Sequence, residues 1–189
     1  MRLLAFIGAL GIIGAIAAAV FFFRGYYSIS AIPADPSIVA WALGHVRDAS
    51  IDRHATDQPP ISLDDQAVIQ AGAVAFDRRG CAFCHGGPGV DWAKFSEGLR
   101  PDPPDLKDIA KDTSAPQIFW VVKNGINMTG MPSFARVGAE DKEIWSITAF
   151  VKKLPSVSES DYKSWTAPPA APAATGPAAT PAPAPSKQQ

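Results

Sequence analysis

The chain has 189 residues, with 17 Lys and Arg against 18 Asp and Glu and a formal net charge of −1. That length suits one domain plus extensions, and the charge balance leaves no basic surplus for nucleic acid. Every Asp and Glu lies between Pro33 and Thr166, whereas Arg2, Arg24 and Lys187 lie outside, so this stretch is mildly acidic and gives only a weak preference for basic partners.

Leu3 to Phe23 is an uncharged apolar run bounded by Arg2 and Arg24. As a helix at about 1.5 Å per residue it reaches roughly 32 Å, enough to cross a hydrocarbon core. A cleaved signal peptide has a shorter apolar region, of about 7–15 residues, followed by small residues. Here Val20-Phe21-Phe22-Phe23 continues past Ala17-Ala18-Ala19, and Tyr26 and Tyr27 fall where interfacial aromatics belong. Residues 1–24 therefore read as an uncleaved, single-pass anchor in the lipid bilayer.

Residues 25–60 read as a juxtamembrane segment. Asp35-Pro36 has the pattern of an N-cap followed by proline, and Ile38, Trp41, Ala42, Val46 and Ala49 recur at helical spacing, predicting an amphipathic helix over Ser37–Ala55. His45 and His54 lie on it and read as surface or packing residues. Thr56 to Pro60 breaks the helix.

A second helical region starts near Ile61. Ser62 to Asp65 resembles a capping box, followed by a helix through Phe76 or Arg79 that stops at Gly80. Gly72 and Phe76, four apart, share a face.

Cys81-Ala82-Phe83-Cys84-His85 comes next. A C-x-x-C-H run is the attachment pattern of a c-type haem. The gap puts both thiols on one face of a turn, where each can add to a porphyrin vinyl group, and His85 follows within reach of the iron. Zinc needs four N or S ligands, and two cysteines with distant histidines do not provide them. A redox dithiol is expected at a strand-to-helix junction, and the flanks here are helical. One covalently bound haem c is the expectation. Gly86 to Gly89 forces a turn, and Pro88 is placed to offer its carbonyl to His85 Nδ1–H.

Pro101 to Leu106 reads as a proline-punctuated loop. Ser114 to Gln117 is a capping-box pattern opening a helix that stops at Asn124-Gly125. The loop 126–132 carries Met128 and Met131, two candidates for a second iron ligand. A last helix is expected from about Glu140 to Leu154, with acids at its start, Lys152 and Lys153 at its end, Pro155 as its stop, and one apolar stripe through Ile144, Ile147, Phe150, Val151 and Leu154. Residues 164–189 read as an Ala/Pro-rich disordered tail.

Taken together, Gly72/Phe76, the CAFCH run, the Gly130-Met131-Pro132 turn and the helix containing Trp145 and Phe150 resemble the class I c-type cytochromes, over about Ile61 to Pro155. The resemblance implies an all-α fold of short helices around one covalent haem, with the domain spanning 61–163. It implies that the first helix crosses the last at a glycine–aromatic contact, with Phe150 opposite Gly72. Because the family's axial methionine commonly precedes proline, it selects Met131 over Met128 to face His85.

The function so implied is one-electron transfer, not enzymatic turnover. The haem domain would face the periplasm from a bacterial inner membrane. Expected partners are an upstream dehydrogenase or quinol-oxidising complex and a downstream oxidase or reductase. The alternative is a haem-based gas or ligand sensor in which Met131 leaves the iron. A peroxidase would need an open iron site with a polar distal group.

Overall fold

A computed structural model describes residues 1–168; the expected Ala/Pro tail lies outside the described residues from 169 onward. Among the described residues the architecture is all-α, without a β-sheet. The helices are α1 (Arg2–Phe23), α2 (Ser37–His54), α3 (Gln66–Arg78), α4 (Cys81–His85), α5 (Leu106–Asp112), α6 (Ala115–Asn124), α7 (Asp141–Lys153) and α8 (Glu159–Thr166). Short 3-10 turns occupy Lys94–Gly98, Ala135–Val137 and Leu154–Ser156.

The packing centres on α3 against α7. Asp65 starts α3 by accepting from Ala67 N–H at 2.8 Å, a single-residue cap in place of the box expected from Ser62. Ile69, Gly72, Ala73 and Phe76 then form a buried stripe. A Cβ on Gly72 would overlap the carbonyl oxygen of Ser146 and lie 2.9 Å from Phe150 Cβ. The glycine thus brings the two backbones together at Ser146, and Phe150 flanks the crossing with its ring 5.2 Å from that of Phe76.

Helix α7 has Asp141 and Glu143 in its first turn and Lys152 and Lys153 in its last, matching its dipole. All eight residues from Ile144 to Val151 are buried, where one apolar stripe is expected from the sequence. The difference follows from its neighbours: α3, α5, α6 and α8 surround it. Its two buried hydroxyls are satisfied by the preceding turn, Ser146 Oγ donating to Lys142 O at 3.0 Å and Thr148 Oγ1 to Ile144 O at 2.9 Å.

Three further elements close this body. Ser114 and Gln117 make the anticipated capping box at the start of α6, and Phe119 of α6 stacks on Trp145 of α7 at 4.0 Å. Helix α5, which the sequence reading leaves unassigned beyond the loop ending at Leu106, is capped by Asp105 and held by Lys152 Nζ, which donates to Ala110 O and Thr113 O. Helix α8 is absent from the sequence-based reading. Its Tyr162 is buried and stacks on Phe150 at 5.6 Å.

The N-terminal elements differ from this body. Helix α1 is uncharged and apolar after Arg2, long enough to cross a membrane, and buries none of its residues; it is consistent with a single membrane-spanning segment. Helix α2 forms where expected, one residue after Pro36, yet it too buries no residue, so the expected amphipathic packing is not what it does.

Candidate functional site

The local fold around Cys81 is set by two glycines. Gly80, at φ +76°, ends α3 and starts α4 in a new direction. Gly86, at φ +65°, ends α4 directly after His85, and a Cβ there would sit 3.0 Å from Val90 O. Gly87 and Val90 then pair across a tight turn with Pro88 and Gly89 at its corner. Ala93 N–H donates to Phe83 O at 2.8 Å and folds the following segment back onto α4.

Cys81, Cys84 and His85 thus share one short helix. Cys81 packs against the hydrophobic core, and burial pushes its thiol up to about 12. A thiol held neutral is a poor redox nucleophile, which acts as the thiolate. A thioether carries no charge, so the same apolar surroundings suit it at no electrostatic cost. Among the described residues, no three His, Cys, Asp or Glu side chains gather as a metal-ion cage.

His85 lies on an open cavity of about 540 Å³ together with Cys84, Val90, Trp92, Pro104 and Leu154. Its Nδ1 is 3.0 Å from the carbonyl oxygen of Pro104. Pro104, not Pro88 as the sequence suggests, is therefore the ring's backbone partner. Pro88 is instead buried at the corner of the turn and does not line the cavity. Burial holds the imidazole below its usual pKa, and the Pro104 bond partly opposes this. The neutral ring donates from Nδ1 to the carbonyl, which leaves the Nε2 lone pair as its metal-binding atom. The cavity wall is mixed, with Val90, Trp92 and Leu154 beside the charged Arg100, Asp102 and Lys107; a neutral imidazole and a cysteine-bearing turn on it fit a flat ring with a central metal.

The two methionines occupy different environments. Met128 is 93% exposed, at φ 60°. Met131 is partly buried and packs against the core. Its backbone is tied at both ends: Met131 N–H donates to Thr129 Oγ1 at 3.1 Å, and Ile126 N–H donates to Met131 O at 3.1 Å. Gly125, at φ +70°, admits this closure, since a Cβ there would sit 2.6 Å from Pro132 C. Met131 does not line the cavity on which His85 lies. Its neighbour Gly130 does lie against Leu99, adjacent to the cavity-lining Arg100. His45 and His54 do not line this cavity and stack on Trp41 and Trp120 respectively.

Residues 67–151 match the family model described as cytochrome C oxidase, cbb3-type, subunit III. The match runs from the start of α3 to the last turn of α7, and so includes the Cys81–His85 helix and the Met131 loop. It leaves α1, α2 and α8 outside. No curated protein and no solved structure matches the chain. The similarity supports a haem cofactor in general and a membrane-associated electron-transfer role in a respiratory chain.

Proposed function

We propose that the chain is a periplasm-facing, membrane-tethered one-electron carrier or docking subunit of a respiratory oxidase complex, with a class I cytochrome c fold over residues 61–163. One haem c is bonded through Cys81 and Cys84, with His85 and Met131 as the residues that hold its iron. The observation that carries this reading is the His85 arrangement: a neutral imidazole fixed by Pro104 O, on the same turn as both cysteines, lining one open cavity with Cys84. When bound, such a group supplies a one-electron ferrous/ferric couple, and a thioether ligand raises its potential relative to a second nitrogen.

The chain's own residues keep that chemistry selective. The hydrogen bond to Pro104 fixes the tautomer and the ring plane of His85 and raises its basicity. The tethering of Met131 at both backbone groups supports a standing ligand more than one that swings away, which favours the carrier over the gas sensor. Exposed Phe83 and Val90 beside the attachment turn offer a small apolar contact for transient partners. Those partners are a dehydrogenase or quinol-oxidising complex on the donor side and an oxidase or reductase on the acceptor side.

The test is the intact mass of the full chain purified from membranes. It should exceed the polypeptide mass by one porphyrin, and Cys81→Ala combined with Cys84→Ala should abolish that increment. A native chain at its bare polypeptide mass would overturn the reading.

A further inference from the structure

Helix α2 divides along its axis, not across a face. Ser37–Val46 carries no charged side chain, whereas the remainder carries Arg47, Asp48, Asp52 and Arg53. The polar half is seated on the body: Gln117 Nε2 donates to Asp52 Oδ1 at 2.6 Å, and the His54 ring stacks on Trp120 of α6 at 6.0 Å. The apolar half has no such seat. Ile38, Trp41, Leu43 and Val46 are each between 62% and 69% exposed.

Two observations say what covers them. The first is angular. At about 100° per residue, Trp41 and Leu43 point to nearly opposite sides of the helix, and Ile38 and Leu43 are about 140° apart. A groove on a rigid partner covers one side and leaves the other wet, whereas a fluid apolar medium surrounds them all. The second is position. Tyr27 packs on Phe22 at 5.7 Å, at the end of α1, and its hydroxyl donates to Asp35 Oδ1 at 2.8 Å, two residues before α2 begins. The first turns of α2 are therefore held beside the end of the membrane-spanning helix, at the depth where tyrosine and tryptophan partition.

We propose that the apolar half of α2 is a second membrane contact, immersed at the boundary between headgroups and acyl chains beside α1. It rests on the reading of α1 as a membrane span. Because the other half of α2 is bound to α6, this contact sets the height and tilt of the haem-binding body over the bilayer, which α1 followed by a slack linker would leave free.

Nitroxide labels on single introduced cysteines test this in the full, haem-loaded chain in phospholipid nanodiscs. The positions are Ile38→Cys, Leu43→Cys, Arg53→Cys and, within α1, Ile13→Cys. Power saturation compares dioxygen, which partitions into lipid, with a polar nickel chelate. Labels at 38 and 43 should both be relaxed several-fold more by dioxygen than by nickel, the label at 53 should show the reverse, and the label at 13 should be the deepest. Nickel access at 38 and 43 equal to that at 53, with 13 still deep, would overturn the α2 contact and leave the anchor standing. Nickel access at 13 would remove the anchor and the contact with it. Shielding of 38 or 43 from both reagents would overturn the proposal in favour of a protein partner.

Discussion

At the scale of single residues, the site separates two methionines that sequence spacing leaves close together. Met131 is tied through both backbone groups and faces the core, whereas Met128 stands in solvent. Met131→Ala should therefore abolish the near-infrared charge-transfer absorption of the ferric protein and lower its reduction potential, while Met128→Ala should leave both unchanged; the opposite pattern transfers the ligand to Met128. A second residue-scale prediction concerns Arg79 and Glu143. Arg79 donates to both carboxylate oxygens, at 2.8 and 2.7 Å, and also to Val137 O at 3.2 Å and Gly138 O at 3.4 Å, joining the end of α3 to the entry of α7. The Arg79 hydrogen bond holds the Glu143 carboxyl below its usual range. A carboxyl with a depressed folded-state pKa stabilises the fold above its unfolded pKa, near about 4.3, and loses that contribution as pH falls through the folded value. Because the pair is partly solvated, Glu143→Gln should cost about 1 kcal/mol in denaturant unfolding near neutral pH, with the difference closing in acid.

At the scale of elements, the crossing of α3 and α7 is the packing contact most sensitive to a single methyl group. Gly72→Ala drives a Cβ into the Ser146 carbonyl, which is backbone and cannot rotate away. Unfolding of the haem-loaded variant should show a loss of about 3 kcal/mol, at the upper end for an overpacked site. Much of this was legible in the sequence. The runs forming α3, α6 and α7 carry periodicity or capping signals, α1 is marked by its long apolar run, and CAFCH is the pattern on which the proposed haem attachment rests. Helices α5 and α8 escaped because each is too short to show a period; their signals are single caps, Asp105 and Ser158. The Pro104 contact escaped for a different reason. It joins His85 to a carbonyl nineteen positions away, and a backbone acceptor has no residue type by which to recognise it. Pro88 looked the better partner because it is near in sequence, but the turn it makes carries it into the interior.

At the scale of the whole molecule, an unburied apolar helix and a packed helical body share one chain, and α2 links them through its seat on α6. The similarity to the oxidase subunit covers that body from α3 through α7, so α8 is an addition to the matched region. It lies on the turn that follows the attachment motif: Gly87 faces the Tyr162 ring, and a Cβ on Gly89 would overlap Glu159. With α1 spanning the bilayer, haem-stained chain should stay in the membrane pellet after an alkaline carbonate wash and should be released by detergent. Release by carbonate alone would place the chain at the surface.

The position of Cys81 bears on chronology. In the finished body Cys81 is partly buried against the core and burial pushes its thiol up to about 12, so it is a weaker nucleophile there than in an open chain. Under the proposed chemistry the bond to Cys81 forms more readily before the core has packed against it, whereas Cys84 stays on the open cavity. Attachment ahead of folding is then the faster order, and packing of the core slows any bond to Cys81 left unmade.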